Sequence, residues 1–153
     1  MNGTACNPFA RRQSGTSAIE FALIFPLFFS LAYGGIAYGF TYFLQQRINF
    51  AAQEAVRSVV ALDPATPNYS TALVSTAQAS VLSNFGVAVG GAFPSRVATP
   101  TVTTDSGTNT VTVQLIYNLA APSPLFPTIT FPVIGAVPPL PATLQAVAVG
   151  RLS

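Results

Sequence analysis

Few side chains in this sequence can do chemistry. Histidine is absent, the one cysteine is Cys6, and the acids are Glu20, Glu54, Asp63 and Asp105. Imidazole-based acid/base catalysis, Ser-His-Asp and Cys-His nucleophiles and a zinc site of the usual ligands are thereby excluded. One cysteine also gives no disulfide framework within the chain. Asp63, before Pro64, and Asp105, in Asp105-Ser106-Gly107, have the setting of turn residues, and Glu54 reaches Arg57 at a three-residue helical spacing. No glycine-rich phosphate loop precedes a helix. The sequence therefore predicts no catalytic residue, no metal and no cofactor. Apart from Arg11-Arg12 the arginines are isolated, so no basic stripe for nucleic acid is present. The remaining carboxylate, Glu20, stands directly before a long uncharged run.

That run makes Glu20 unusual. Phe21 to Leu44 is 24 residues without a charge, about 36 Å as a helix, enough to cross a hydrocarbon core of about 30 Å with some tilt. The whole chain is 153 residues, half of them apolar and 7% charged, where a soluble domain carries about 25%. This composition points to a membrane, exported or structural protein with room for one small domain. Pro26, one turn into the run, is expected to kink the helix rather than break it. An acid at the edge of such a span has two readings. It can be an interfacial residue that suits the helix dipole, or a charge held for a partner within the membrane.

Arg11 and Arg12 precede the span with no acid among the first 19 residues, so the positive-inside tendency predicts a cytoplasmic N-terminus and an exported C-terminal part. Arg47, just past the span, opposes this, while Glu54 and Asp63 follow on its side. A removable secretory signal is the alternative, but the apolar run exceeds the usual length of about 7–15 residues and no A-x-A site closes it. Gly15-Thr16-Ser17-Ala18-Ile19-Glu20-Phe21 sets a glycine five residues before the acid, behind a basic leader. This resembles the type III signal of type IV pilins and pseudopilins, which a prepilin peptidase cuts after the glycine. The resemblance implies Gly15 as the last leader residue, Thr16 as the new N-terminus, and Glu20 as the neutraliser of a neighbouring subunit's α-amino group.

The match extends further. Ser17-Ala18-Ile19-Glu20-Phe21-Ala22-Leu23-Ile24-Phe25-Pro26, the small residues around Gly34-Gly35, and Ala51-Ala52-Gln53-Glu54-Ala55-Val56-Arg57 together resemble the TadE-like family, pseudopilins of the tight-adherence (Flp) pilus assembly system. The resemblance is strong over about residues 15–60 and covers the register residues Glu20, Phe21 and Pro26. Phe21, where the major pilins of that system carry tyrosine, and the long chain after Leu44 favour a minor pseudopilin over a fibre subunit. The resemblance implies a prepilin peptidase, other pseudopilins and inner-membrane assembly proteins as partners, beside the lipid bilayer. It places the chain in the bacterial inner membrane as a single-pass protein, N-terminus cytoplasmic and C-terminal domain periplasmic. The alternative is an unprocessed bitopic protein presenting a small extracytoplasmic binding domain; a membrane-anchored hydrolase would need a carboxylate pair.

Beyond the span, Leu44, Ile48, Ala52, Ala55, Val59 and Leu62 recur at helical steps, predicting an amphipathic continuation to about Leu62, closed by Asp63-Pro64. A second helix is expected over Thr71–Phe85, capped by Ser70 and stopped by Gly86. The period then changes to two: Val111, Val113 and Leu115 alternate with polar residues. Val97–Thr104, with Pro100 making it an edge, and Leu144–Leu152 supply the neighbouring strands. Pro122–Pro141 holds seven prolines in twenty residues, a long structured loop whose Leu125, Phe126, Ile129, Phe131, Val133 and Ile134 either fold back over the sheet or form a contact surface. The fold class is α+β: a long transmembrane helix continuing as an amphipathic one, a short helix and a small antiparallel sheet of about three strands. The expected divisions are a leader, 1–15; the helix, 16–62; and an exported α+β domain, 63–153.

Overall fold

A computed structural model describes residues 14–88, 90–131 and 135–152. Arg11, Arg12 and the rest of the leader up to residue 13 lie outside the described residues, as do Val133 and Ile134. In chain order the elements are α1 (Ser14–Val60), α2 (Tyr69–Asn84), β1 (Thr101–Asp105), β2 (Thr110–Asn118), β3 (Ile129–Phe131), β4 (Gly135–Val137) and β5 (Thr143–Arg151). The architecture is α+β, as the periodicities predict.

Helix α1 has 47 residues, about 70 Å at the standard rise, and its two halves differ in environment. From Ile19 to Leu31 every large apolar side chain is exposed, Leu23 and Leu31 to 74%. From Ile48 to Val59 the predicted stripe is buried in the core. Pro26 does not break the helix, and the Ser30 hydroxyl donates to the Pro26 carbonyl at 2.7 Å. The helix ends at Val60, two residues before the expected limit, because Leu62 N–H turns back to the Val59 carbonyl (3.1 Å) and Asp63 Oδ1 accepts Ala65 N–H (2.9 Å).

The start of α2 corrects the expectation for Ser70. The N-cap is Asn68, in the left-handed region (φ 55°, ψ 46°), and its carbonyl accepts Thr71 and Ala72 N–H without any side-chain cap. Asparagine tolerates this conformation far better than a β-branched or bulky residue, and it starts the helix two residues earlier. The other end stops as expected. Gly86 has φ +71°, Gly86 N–H bonds the Ser83 carbonyl (3.0 Å) and Val87 N–H bonds the Leu82 carbonyl (2.9 Å), a Schellman closure.

The sheet has the order β1-β2-β5 and is antiparallel throughout, with Val113 opposite Val102 on one side and Ala148 on the other. Strand β1 is an edge that begins after Pro100, and Val97 makes only an isolated bridge to Tyr117. Val111, Val113 and Leu115 of β2 and Leu144, Ala146 and Ala148 of β5 face inward. Against them lie Ile48, Ala52, Ala55 and Val59 of α1 and Leu73, Ala77 and Val81 of α2. Gly150 permits the close approach of α1 to β5: a Cβ there would collide with Val56 Cγ1 and lie 2.9 Å from Val60 Cγ2.

The proline-rich segment contains a small hairpin, β3 paired with β4, which the sequence reading did not include. Of the two settings open to the loop, a fold-back over the sheet is not the one adopted. The inner face of the sheet is already occupied by α1 and α2, and the loop rests instead on α1 below the core.

Candidate functional site

Two regions of α1 carry the residues of interest. The first is its N-terminal part. Gly15, Thr16, Glu20 and Phe21 all lie on exposed helix. Nothing comes within 4 Å of a Cβ placed on Gly15, and its backbone is not in the left-handed region. Neither space nor conformation therefore requires glycine there. Glu20 makes no ion pair among the described residues, where the Arg57–Glu54 contact (3.8 Å) is the one that forms. The structure thus leaves the Glu20 carboxylate free to meet a group outside these residues.

Above Glu20 the exposed face is ordered by aromatic side chains one turn apart. Phe21, Phe25, Phe29 and Tyr33 stack in succession with centroid separations of 5.3, 5.9 and 6.1 Å. Helical neighbours at four-residue spacing project over the same face, so these rings form one continuous ladder along the span.

The second region is where the ladder meets the proline-rich loop. Tyr33 Oη donates to the Pro127 carbonyl at 2.7 Å, and Tyr38 Oη to the Pro139 carbonyl at 3.2 Å. Phe40 and Phe126 meet edge to face at 5.6 Å. Ala37 and Thr41 are buried at this level, with the Thr41 hydroxyl bonded to the Ala37 carbonyl (2.8 Å). At the loop's base Arg96 spreads its guanidinium over four carbonyls, Asn118, Leu119 and Ala121 through Nη1 and Ser123 through Nη2, at 3.0–3.4 Å. Arg47 Nη2 caps α2 at the Asn84 carbonyl (3.1 Å), where a cation suits the helix C-terminus. The charge just past the span thus closes the helix pair.

Sequence reasoning missed Arg96, Tyr33 and Tyr38 as anchors. The tyrosines carried a usable signal, a polar tip on an apolar body inside an uncharged run. Arg96 carried none, because its partners are backbone carbonyls. The other acids have local roles. Asp105 closes the β1–β2 turn through Gly107 N–H (2.9 Å) and the Thr108 hydroxyl (2.7 Å). The Thr108 hydroxyl first, and then the Gly107 amide, hold its carboxyl below the ordinary value.

Residues 15–57 are similar to the family model described as TadE-like protein. No curated protein and no solved structure matches the chain. The TadE-like match and the apolar α1 fit a membrane protein associated with the Tad pilus, with α1 as a single-pass anchor.

Proposed function

We propose that this TadE-like chain is a minor pseudopilin: inserted with its N-terminus in the cytoplasm, cut after Gly15 by a prepilin peptidase, and used structurally in assembling tight-adherence pili. The observation that carries this reading is the family match over residues 15–57. The geometry supports it at two positions. Gly15 stands in the first turn of α1, and no contact of this fold requires glycine there. The fold leaves the position open to a demand from outside, such as a peptidase subsite. Cleavage would place a cation on Thr16 beside the membrane, and Glu20 is exposed one turn further along. A carboxylate there can hold the ammonium of a neighbouring subunit, and removing either partner would leave the other charge unpaired in a poor solvent. Such a pair sets the stagger between packed helices. The proposed domain division follows: a leader to residue 15, a helix from Thr16, and a periplasmic part built on its far end.

The deciding measurement is the N-terminus of the chain in a host with its cognate peptidase, by intact mass and N-terminal sequencing. Processing predicts a chain that starts at Thr16, and Gly15→Ala predicts the uncut form and loss of pili. A wild-type chain that still starts at Met1 would leave the unprocessed bitopic protein as the better description.

A further inference from the structure

The loop's resting place on α1 has a consequence for the membrane. A hydrocarbon core of about 30 Å takes about twenty helical residues, so a core entered near Glu20 is left near Phe40. The loop touches α1 at Tyr33, Tyr38 and Phe40, at or below that level. Tyr33 is about 21 Å along the helix from Arg47, the first charge after the span. The loop tip therefore lies beside the anchor rather than above it.

The loop's chemistry suits that depth. No charged residue occurs between Asp105 and Arg151. Leu125 and Phe126 are half-buried, and Pro127, Thr128 and Ile129 are exposed, Ile129 to 42%. Irregular backbone is costly in lipid because its N–H and C=O groups lack water, and this loop reduces that cost in three ways. Its prolines have no N–H to satisfy. Tyrosine hydroxyls take the carbonyls of Pro127 and Pro139, the two that meet the span. The strands β3 and β4 pair with each other. Positive charge stands higher: Arg47 and Arg96 line one cleft with Phe43 and Leu44, the level at which lipid headgroups would meet them.

We infer that the tip of the proline-rich loop, Leu125 to Ile129, is embedded in the bilayer leaflet at the C-terminal end of α1, giving the protein a second, monotopic contact with lipid. The occupant of this apolar surface is acyl chain, and its continuity with the exposed face of the span identifies it. The inference rests on α1 being a membrane anchor. Its effect is to fix the tilt and rotation of the sheet domain against the membrane, which a single helix alone would leave free.

The test is depth-resolved quenching on the full-length protein in liposomes of phosphatidylethanolamine and phosphatidylglycerol. In a Cys6→Ser background, single cysteines at Ile129→Cys, Thr128→Cys, Ile24→Cys and Thr108→Cys carry an environment-sensitive fluorophore. The quenchers are phospholipids with nitroxides at shallow or deep acyl positions, and aqueous iodide. Embedding predicts that labels at 128 and 129 are quenched several-fold more by shallow nitroxide lipid than the label at 108, while the label at 24 responds to lipid quenchers and not to iodide. If 128 and 129 behave like 108 while 24 is lipid-quenched, the anchor stands and loop embedding is overturned. Labels at 128 and 129 shielded from both kinds of quencher would mean that protein covers the loop, again overturning it. A label at 24 open to iodide would remove the anchor itself, and the inference with it.

Discussion

At the scale of single residues, Gly150 and Glu20 show the difference between a constraint that comes from the fold and one that does not. Gly150 lies where α1 crosses β5, with Val56 and Val60 in the space a Cβ would need. Gly150→Ala should force the helix away from the strand, a form of overpacking that costs about 1–3 kcal/mol. A lower urea midpoint with an unchanged slope would show this, and an unchanged midpoint would contradict the close approach. Glu20 has no such neighbours. Glu20→Gln should leave insertion and the denaturation midpoint untouched, since the carboxylate makes no ion pair among the described residues. The same substitution should reduce the number of pili, because the amide cannot neutralise a neighbour's ammonium. Pilus counts at wild-type level would remove Glu20 from assembly.

At the scale of elements, the loop and the β1–β2 turn depend on side chains that bind backbone. Arg96 serves four carbonyls at the base of the loop, and hydrogen bonds to a charged group contribute about 1.5–3 kcal/mol. Arg96→Ala should therefore open the loop, seen as proteolytic nicking near Ser123 at protease levels that spare the wild type. Arg96→Lys should be nicked at an intermediate rate, because a point charge cannot span the four acceptors. For Asp105 the carboxyl is held below its ordinary value near 3.8. A depressed folded-state value means that its stabilisation is present above that ordinary value and is lost as pH falls through the folded one. The turn is fully exposed, so the effect is small. Asp105→Asn should lower stability slightly at neutral pH and flatten the slope of stability against pH below about pH 4, so that variant and wild type converge as pH falls. These elements also show what was legible in the sequence. The alternation from Val111 to Leu115 and the stripe from Ile48 to Val59 report their own burial, because side-chain period follows backbone geometry. So do Gly86 as a helix stop and Pro100 as the mark of an edge. The loop's resting place was not legible, since Tyr33 and Tyr38 meet carbonyls of Pro127 and Pro139, and a carbonyl has no residue identity to read. Asn68 was not legible either, because it caps through a left-handed backbone and no side-chain bond, whereas Ser70 carries the hydroxyl that side-chain capping uses.

At the scale of the whole molecule, α1 belongs to two environments at once, and the sheet domain cannot be separated from it at residue 62. Ile48, Val56 and Val59 are each buried in the domain core together with Ala51, Ala52 and Ala55. Full burial of each of the three larger side chains contributes about 1.5–3 kcal/mol, against a total stability of about 5–15 kcal/mol for a domain. A fragment of residues 61–152 would lose all of this and expose the inner faces of β2 and β5. It should be unfolded or aggregated, with no cooperative transition. A fragment of residues 45–152 keeps the stripe, the Arg47 cap on α2 and the Gly150 contact, and should fold cooperatively in water. It lacks Tyr33, Tyr38 and Phe40, so hydrogen exchange over residues 125–130 should be faster than in the full chain while β2 and β5 stay protected. A cooperative transition in the shorter fragment would mean that the sheet and α2 suffice alone, with α1 only a tether. Equal protection of residues 125–130 in the longer fragment would mean that Arg96, and not the span, holds the loop.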